Sequence, residues 1–184
     1  EDIIKYTLLQ GACIDSFGVG ERLITSKAEP VFGGVYKLCA VEKEDGTIIP
    51  KIKISNNIEK VTNPGYKKVY RLFDKDTGYA FGDYMCLADE PVPGEENLKA
   101  VSTTSAKKFK ELYNYEAKPL LQEIYRGGEL VYEQPDLAAI RKNRESCLEH
   151  IWEECLRFEN PHIYNVYLSM KLYDLKNELL GNNR

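Results

Sequence analysis

Apolar residues change their spacing along the chain, and each change predicts a different element. In "EDIIKYTLLQG" the side chains of Ile4 and Leu8 fit one face of a helix, and Gly11 stands where such a helix ends. The next run, "ACIDSFG", is short and apolar and predicts a strand. It leads into Gly18, Val19 and Gly20, which we call the glycine loop. Helix, strand and glycine loop in this order are typical of an α/β unit.

From Val35 onwards the apolar runs are β-rich and predict antiparallel hairpins. Glycine-bearing turn signals separate three pairs of runs, at "EDG" (44–46), "DTG" (76–78) and "GG" (127–128). The polar stretch "DEPVPGEEN" predicts a connector between the second and third pairs.

Two helices are predicted towards the carboxyl end. Asp136 is a helix-capping residue before the run "DLAAIRKNRESCLEHIWEECLRFE", whose apolar residues, up to Phe158, fit one face. Asn160-Pro161 ends that helix. Ser169 is a second cap, before "MKLYDLKNELL", and Gly181 stops the final helix.

These elements predict an α/β chain with α+β character, in two parts. Residues 1–34 form the single α/β unit, and residues 35–184 form a β-rich flanking region with C-terminal helices. One strand and one helix cannot close a parallel sheet, so we expect the first part to complete a sheet whose other strands lie upstream. The chain begins at Glu1 rather than at a methionine, and we therefore expect it to be a piece of a longer protein.

Composition narrows the class of protein. Apolar residues make up 43% of the chain and charged residues 29%, which is ordinary for a folded domain and argues against disorder. The net charge of -4 argues against a general nucleic-acid binder. No apolar run approaches the ~20 residues of a membrane span, and no signal-peptide pattern opens the chain. We expect a cytoplasmic protein without a nucleic-acid or membrane partner.

The five cysteines and two histidines predict no metal site. The cysteines contain no C-x-x-C pair, and His150 and His162 do not lie at zinc-finger spacing from them. We expect free, buried thiols. His150 lies among glutamates on the long predicted helix and His162 follows the helix end, so we interpret both as structural residues.

The glycine loop has two interpretations from spacing alone. Backbone N–H groups at the end of a strand hold phosphates in many α/β folds, and glycines let the phosphate approach closely. Permissive backbone geometry in a plain turn is the other common use of glycine. The dinucleotide pattern G-x-G-x-x-G is absent and there is no Walker lysine, so the spacing does not select a ligand.

The residues around the loop resemble a known family. The run "GACIDSFGVGERLITSKAEPVFGGVYKLCAVE" is similar to the nicotinate phosphoribosyltransferase pattern GA-x-ID-x-(W/F)-GVGT-x-L-x-T, followed by (L/F)GGVYKL. The likeness continues through "PKIKISNNIEKVTNPGYKKVYRL" and "EAKPLLQEIYRGGELVYE" and closes with "NPHIYNVYLSMKLYDLKNELL". It thus spans nearly the whole chain, in order.

The resemblance implies an enzyme of NAD salvage that makes nicotinate mononucleotide from nicotinate and phosphoribosyl pyrophosphate, coupled to ATP hydrolysis through a phosphorylated histidine. It implies an irregular α/β barrel, with this chain supplying the last strand and helix unit of the barrel and the flanking region. ATP and Mg²⁺ belong to the whole enzyme, and this piece alone is expected to hold neither and to be inactive. The expected partners are the upstream part of the same enzyme and a second copy in a homodimer.

By the same resemblance, Gly18, Val19 and Gly20 hold the phosphate of the phosphoribosyl group. Glu21 departs from the family's threonine, and its carboxylate would repel a phosphate unless it turns away or pairs, which leaves its role open. No catalytic residue is assigned, because the family's catalytic histidine and nicotinate-binding residues belong to upstream segments.

Three further residues are candidates for the site. Asp15, just before the loop, either orients ribose hydroxyls or Mg²⁺ or caps the loop's own amides, and both interpretations stay open. Tyr36 stands in the "FGGVYKL" block. Lys53 belongs to a basic group that either receives phosphate oxygens or forms a solvated strand edge. The members of this group are Lys51, Lys53, Lys60, Lys67, Lys68 and Arg71.

Two other functions stay open at this point. One is a non-catalytic domain that binds a phosphate ligand or a partner, with the glycine loop as a plain turn. The other is a sister phosphoribosyltransferase that acts on nicotinamide or quinolinate, because the residues that select the base are not among those that carry the resemblance.

Overall fold

The chain divides into two units, Glu1–Tyr36 and Lys37–Arg184, in a computed structural model that describes residues 2–27, 30–31, 33–57, 60–94, 97–104, 109–157 and 159–181. The helices are α1 (Asp2–Leu9), α2 (Glu21–Ile24), α3 (Leu137–Glu149) and α4 (Met170–Gly181), and a short 3₁₀ helix covers Glu153–Cys155. The strands are β1 (Ala40–Glu42), β2 (Ile48–Pro50), β3 (Lys67–Asp74), β4 (Ala80–Leu87), β5 (Leu98–Ser102), β6 (Phe109–Leu112), β7 (Tyr115–Pro119), β8 (Tyr125–Arg126), β9 (Glu129–Leu130) and β10 (Val166–Ser169).

The first unit contains α1 and α2, joined by an extended segment. α1 ends in a Schellman motif, in which Gly11 N donates to Leu8 O over 2.9 Å and Ala12 N donates to Thr7 O over 3.3 Å. Gly11 has the left-handed φ of +80° that this motif needs, as the sequence predicts. The strand predicted in "ACIDSFG" is not formed, because a strand exists only by pairing and no described segment pairs with residues 12–20.

The three predicted hairpins are confirmed. β1 pairs with β2, β3 with β4, and β8 with β9, each in antiparallel register. Gly46 and Gly78 in the first two turns have φ values of +80° and +73°, and Gly127 and Gly128 in the third have +57° and +86°. A residue with a Cβ rarely adopts these values, so the glycines decide where each strand pair reverses.

Six strands of the second unit form one sheet in the order β6-β5-β10-β4-β3-β7. β10 runs parallel to β4 and antiparallel to β5, so the last strand of the chain lies inside the sheet between them. The sequence pattern does not predict β5, β6 or β10. Short apolar runs such as "VYLS" are not distinguished from helical segments by periodicity, and only their neighbours make them strands.

The sheet curls, and its connectivity requires that it does. β6 and β7 are its two edges, yet only Tyr113 and Asn114 separate them along the chain. Three Cα steps span at most about 11 Å, whereas the edges of a flat sheet of six strands lie about 24 Å apart. Leu112 and Tyr115, one on each edge, are accordingly buried in the same cluster. The observed architecture is a mixed α/β fold built on this half-barrel.

The two faces of the curled sheet bury different side chains. The inner cluster consists of Tyr70, Leu72, Tyr84, Cys86, Ala100, Leu112, Tyr115 and Tyr167. On the outer face, α4 packs its fully buried Leu172 against Val101 and Leu168. Burial of one such leucine side chain contributes roughly 2 kcal/mol to folding.

The helix predicted after Asp136 is shorter than the pattern indicates. Asp136 caps α3 as predicted, because its carboxylate accepts a hydrogen bond from Ala139 N over 2.7 Å. The helix nevertheless ends at Glu149, and Phe158, which the pattern places on the same face, lies outside the described residues.

Contacts with the turn between β3 and β4 explain this early end. His150 O accepts a hydrogen bond from Ala80 N over 2.7 Å, and the Trp152 ring stacks on Tyr79 with 4.5 Å between ring centroids. Tertiary contacts of this kind override a helical pattern that no buried residue of α3 supports.

Ser169 caps α4 as predicted, and its side chain also makes a hydrogen bond that the sequence does not predict. Its Oγ accepts a hydrogen bond from Leu172 N over 3.0 Å and donates to Glu90 Oε1 over 2.6 Å. The same Glu90 oxygen accepts a hydrogen bond from Leu87 N over 2.7 Å. Ser169 therefore ties the start of α4 to the end of β4.

We expect Ser169→Ala to lower the free energy of unfolding by about 2 kcal/mol, because it removes a helix cap and one hydrogen bond of a half-buried carboxylate. Asp136→Ala is the matched control, since it removes a cap from α3, which has no buried residues. Denaturant unfolding followed by circular dichroism measures both variants. Equal unfolding midpoints for the two would contradict the role of Glu90.

All five cysteines are free, but the expectation that they are buried holds for Cys86 only. Cys13 and Cys147 are exposed, and Cys39 and Cys155 are half-buried. Burial raises the pKa of the Cys86 thiol to about 11, so this thiol is protonated at neutral pH.

Candidate functional site

The glycine loop presents unused backbone donors. Among the described residues, no acceptor receives a hydrogen bond from the N–H groups of Gly18, Val19 or Gly20. Gly20 precedes α2, and its carbonyl accepts hydrogen bonds from Leu23 N and Ile24 N over 3.0 and 3.3 Å. An ideal Cβ at Gly18 or Gly20 would meet no atom within 4 Å. The loop is therefore exposed, and its N–H groups have no partner among the described residues.

Three other candidates lie in the same unit as the loop and are exposed: Asp15, Glu21 and Tyr36. The Asp15 carboxylate accepts no hydrogen bond from the described loop residues, so the interpretation of Asp15 as a cap of the loop has no support in the geometry. Glu21 is the first residue of α2, and its carboxylate forms no ion pair with any described residue. Tyr36 is 88% exposed.

Lys53 belongs to the second unit, on an extended segment. We call the described residues 51–57 and 60–62 the lysine segment, which carries Lys51, Lys53 and Lys60, all three exposed. Lys53 N donates to Thr62 Oγ1 over 2.9 Å, and Thr62 N donates back to Lys53 O over 3.4 Å. These two bonds join Lys53 to Thr62 at the end of the segment. The Lys53 side chain is exposed.

The predicted basic group does not form one patch. Lys67 Nζ donates to the carbonyls of Asn63 and Gly65 instead of facing solvent. Arg71 is neutralised by Asp83 in a bidentate ion pair, with Nε–Oδ1 and Nη2–Oδ2 distances of 2.9 and 3.1 Å. The three lysines of the lysine segment are thus exposed, Lys68 is half-buried, and Lys67 and Arg71 are engaged within the fold.

Two residues that interact with Arg71 are not among the candidates predicted from the sequence. Asp83 lies opposite Arg71 on β4, and the Tyr164 hydroxyl donates to Asp83 Oδ1 over 3.0 Å. Hydrogen bonding to Asp83 raises the pKa of Arg71, and burial raises the pKa of Tyr164. An arginine within a half-buried strand is a signal that a carboxylate lies across the sheet, and strand register then identifies Asp83.

Both histidines contact other residues of the second unit. His150 Nδ1 lies 3.1 Å from Gly78 O, and the His150 ring meets Phe73 edge to face at 5.8 Å. His162 N donates to Glu154 O over 2.9 Å. Within the described ranges, no group of three or more histidine, cysteine or carboxylate side chains could hold a metal ion. No described helix is long and apolar enough to cross a membrane.

Comparison with known proteins finds that the chain is similar to nicotinate phosphoribosyltransferases. The family model of the nicotinate phosphoribosyltransferase C-terminal domain matches residues 66–176. A nicotinate phosphoribosyltransferase of Bacillus subtilis is 40% identical over 172 residues, which cover 91% of this chain and 35% of that protein. The human nicotinate phosphoribosyltransferase is 31% identical over 179 residues, covering 97% of this chain and 32% of that protein.

The fold is similar as well. The crystal structure of human nicotinic acid phosphoribosyltransferase matches with a TM-score of 0.60 and 32% identity, over 65% of this chain and 24% of that chain. The chain spans about a third of the length of the relatives it matches in sequence.

Proposed function

The chain belongs to the nicotinate phosphoribosyltransferase family, and from this premise we propose that it supplies the C-terminal part of an enzyme that joins nicotinate to the ribose of phosphoribosyl pyrophosphate, with hydrolysis of ATP. The products are nicotinate mononucleotide and pyrophosphate, a step of NAD salvage. The observation that carries the proposal is the open glycine loop within a chain of this family.

The glycine loop anchors the 5′-phosphate of the phosphoribosyl group. The amides of Gly18, Val19 and Gly20 donate to none of the described residues, so these N–H donors are available to an anion. No side chain at Gly18 or Gly20 stands between the phosphate and the backbone. Because the phosphate is remote from the reacting carbon, its binding energy serves to orient the ribose.

The lysine segment contributes positive charge. Lys51, Lys53 and Lys60 are exposed, and no carboxylate of the described residues pairs with them. Lysine ammonium groups bind phosphate oxygens as point charges. We assign Lys53 to the phosphates of ATP.

Transfer of the ribosyl group passes through a cation-like state at the anomeric carbon. Positioning and charge stabilisation lower the barrier to such a state more than proton transfer does. The catalytic histidine and the nicotinate-binding residues belong, in this proposal, to the part of the enzyme that precedes this chain. Mg²⁺ offsets the charge of a pyrophosphate leaving group, but the described residues form no group suited to hold it, and we assign none of them to it.

The proposal includes a homodimer of the whole enzyme in the cytoplasm, without a nucleic-acid or membrane partner. The proposal differs from the two alternatives in what each predicts. A domain that only binds a phosphate ligand predicts no turnover in any longer polypeptide that contains it. A sister enzyme predicts preference for nicotinamide or quinolinate over nicotinate.

An assay of nicotinate mononucleotide synthesis tests the proposal. We expect turnover by the full-length enzyme, with nicotinate preferred to nicotinamide and quinolinate, and no turnover by the 184 residues alone. Each protein is supplied with phosphoribosyl pyrophosphate, ATP and Mg²⁺, and product is measured by chromatography. Turnover by the isolated chain would contradict the assignment of the catalytic histidine to the preceding part, and preference for another base would overturn the assigned substrate.

A further inference from the structure

Asn63 is the point at which three elements of the second unit meet. Lys67 Nζ, from β3, donates to its carbonyl over 2.9 Å. Lys176 Nζ, from α4, donates to its side-chain oxygen Oδ1 over 2.8 Å. Its side-chain nitrogen Nδ2 lies 3.7 Å from Met85 Sδ, on β4. A single asparagine at the end of the lysine segment is therefore fixed by the sheet and by the last helix.

Lys176 is an unusual partner for an asparagine. It is half-buried, its Nζ bonds a neutral amide, and no described carboxylate pairs with it. Burial lowers the pKa of its ammonium, because desolvation disfavours the charged form and no charge nearby offsets this effect. An apolar side chain at such a position would give a more stable fold. The presence of a lysine therefore indicates a role other than packing.

The lysine segment depends on Asn63 for its position. Thr62, the residue before Asn63, exchanges the two hydrogen bonds with Lys53. On the other side of Asn63, Gly65 N donates to Cys39 O over 2.7 Å, and the same carbonyl accepts a hydrogen bond from Lys51 N over 2.8 Å. Displacement of residue 63 would thus move both anchors of the segment.

We propose that Lys176 is a positioning residue: through Asn63 it holds the lysine segment so that Lys53 faces the phosphate groups of ATP. Lys176 itself does not touch the substrate. The inference rests on the proposed function, since it assumes that Lys53 binds phosphate oxygens.

The test compares variants of the full-length enzyme. We expect Lys176→Met to raise the KM for ATP about tenfold, which corresponds to the loss of one hydrogen bond to a charged group. The kcat and the KM for nicotinate are expected to stay within about twofold, because loss of positioning away from the reacting carbon mainly weakens phosphate binding. Lys176→Arg restores the KM. Lys171→Met, on the same helix, is the matched control, because Lys171 is exposed and its described ion-pair partner is Asp89 rather than a residue near the lysine segment.

Amide hydrogen exchange separates this inference from the proposed function. We expect faster exchange at Lys53 and Gly65 in Lys176→Met than in Lys171→Met. Unchanged exchange would overturn the positioning role, whatever the kinetics. Faster exchange with an unchanged KM for ATP, in both Lys176→Met and Lys53→Met, would instead show that the segment binds no phosphate and would overturn the role of Lys53 on which the inference rests.

Discussion

Gly20→Asp in the full-length enzyme is expected to lower kcat/KM for phosphoribosyl pyrophosphate by at least about a hundredfold. A carboxylate on the loop would stand near the 5′-phosphate, and two like charges about 4 Å apart repel by about 4 kcal/mol near a protein surface. Each 1.36 kcal/mol corresponds to about a tenfold change in rate. Steady-state kinetics with varied phosphoribosyl pyrophosphate and saturating nicotinate measures the effect.

Two variants control for steric and general charge effects. Gly20→Ala adds a Cβ that has no neighbour within 4 Å, so we expect the fold to be unchanged and the activity to fall less than in Gly20→Asp. Gly94→Asp places the same carboxylate at a glycine in open space outside the loop, and we expect kinetics like those of the unchanged enzyme. Kinetics of Gly20→Asp that match those of Gly94→Asp would refute the phosphate role of the loop.

Gly82→Val is expected to lower the free energy of unfolding by about 3 kcal/mol, the upper part of the range for overpacked cores. An ideal Cβ at Gly82 would lie 2.5 Å from Cε2 of Tyr167 and 3.1 Å from the backbone oxygen of Asn165. Tyr167 lies on β10 and packs in the inner cluster, so its ring has no space to withdraw. The added side chain therefore forces β10 away from β4.

Denaturant unfolding of the chain, followed by circular dichroism and by the fluorescence of its single tryptophan, Trp152, measures this loss. Gly94→Val is the control, because its Cβ meets no atom within 4 Å. In a Tyr167→Ala background, Gly82→Val is expected to cost less, since residues in contact do not contribute independently. Equal midpoints for Gly82→Val and Gly94→Val would show that β10 does not close over Gly82.

Some residues of the candidate site could be predicted from the local sequence, and others depend on the tertiary structure. The glycine loop was accessible from the sequence, because its donors belong to adjacent residues and the surrounding blocks resemble one family. The basic group could be predicted only in part, because the sequence shows that Lys53 and Arg71 are both basic but not which of them is paired. Strand register places Asp83 opposite Arg71, whereas Lys53 lies outside any strand and is exposed.

No sequence pattern predicts the contact between Lys176 and Asn63. Lys176 occupies a position of α4 where a lysine is ordinary, and the residue it bonds lies 113 positions earlier. Neither propensity nor periodicity connects residues at that separation.

The sequence by itself determined the local elements of this protein. It located the turns at Gly46 and Gly78 and the helix caps at Asp136 and Ser169, because each depends on the dihedral preference or hydrogen bonds of a few neighbouring residues. Only the tertiary structure decided that β10 lies between β4 and β5, that the sheet curls to join its edges, and that α3 ends at Glu149. These features depend on contacts between distant segments, whose pairing and burial outweigh the small free energies of local preference.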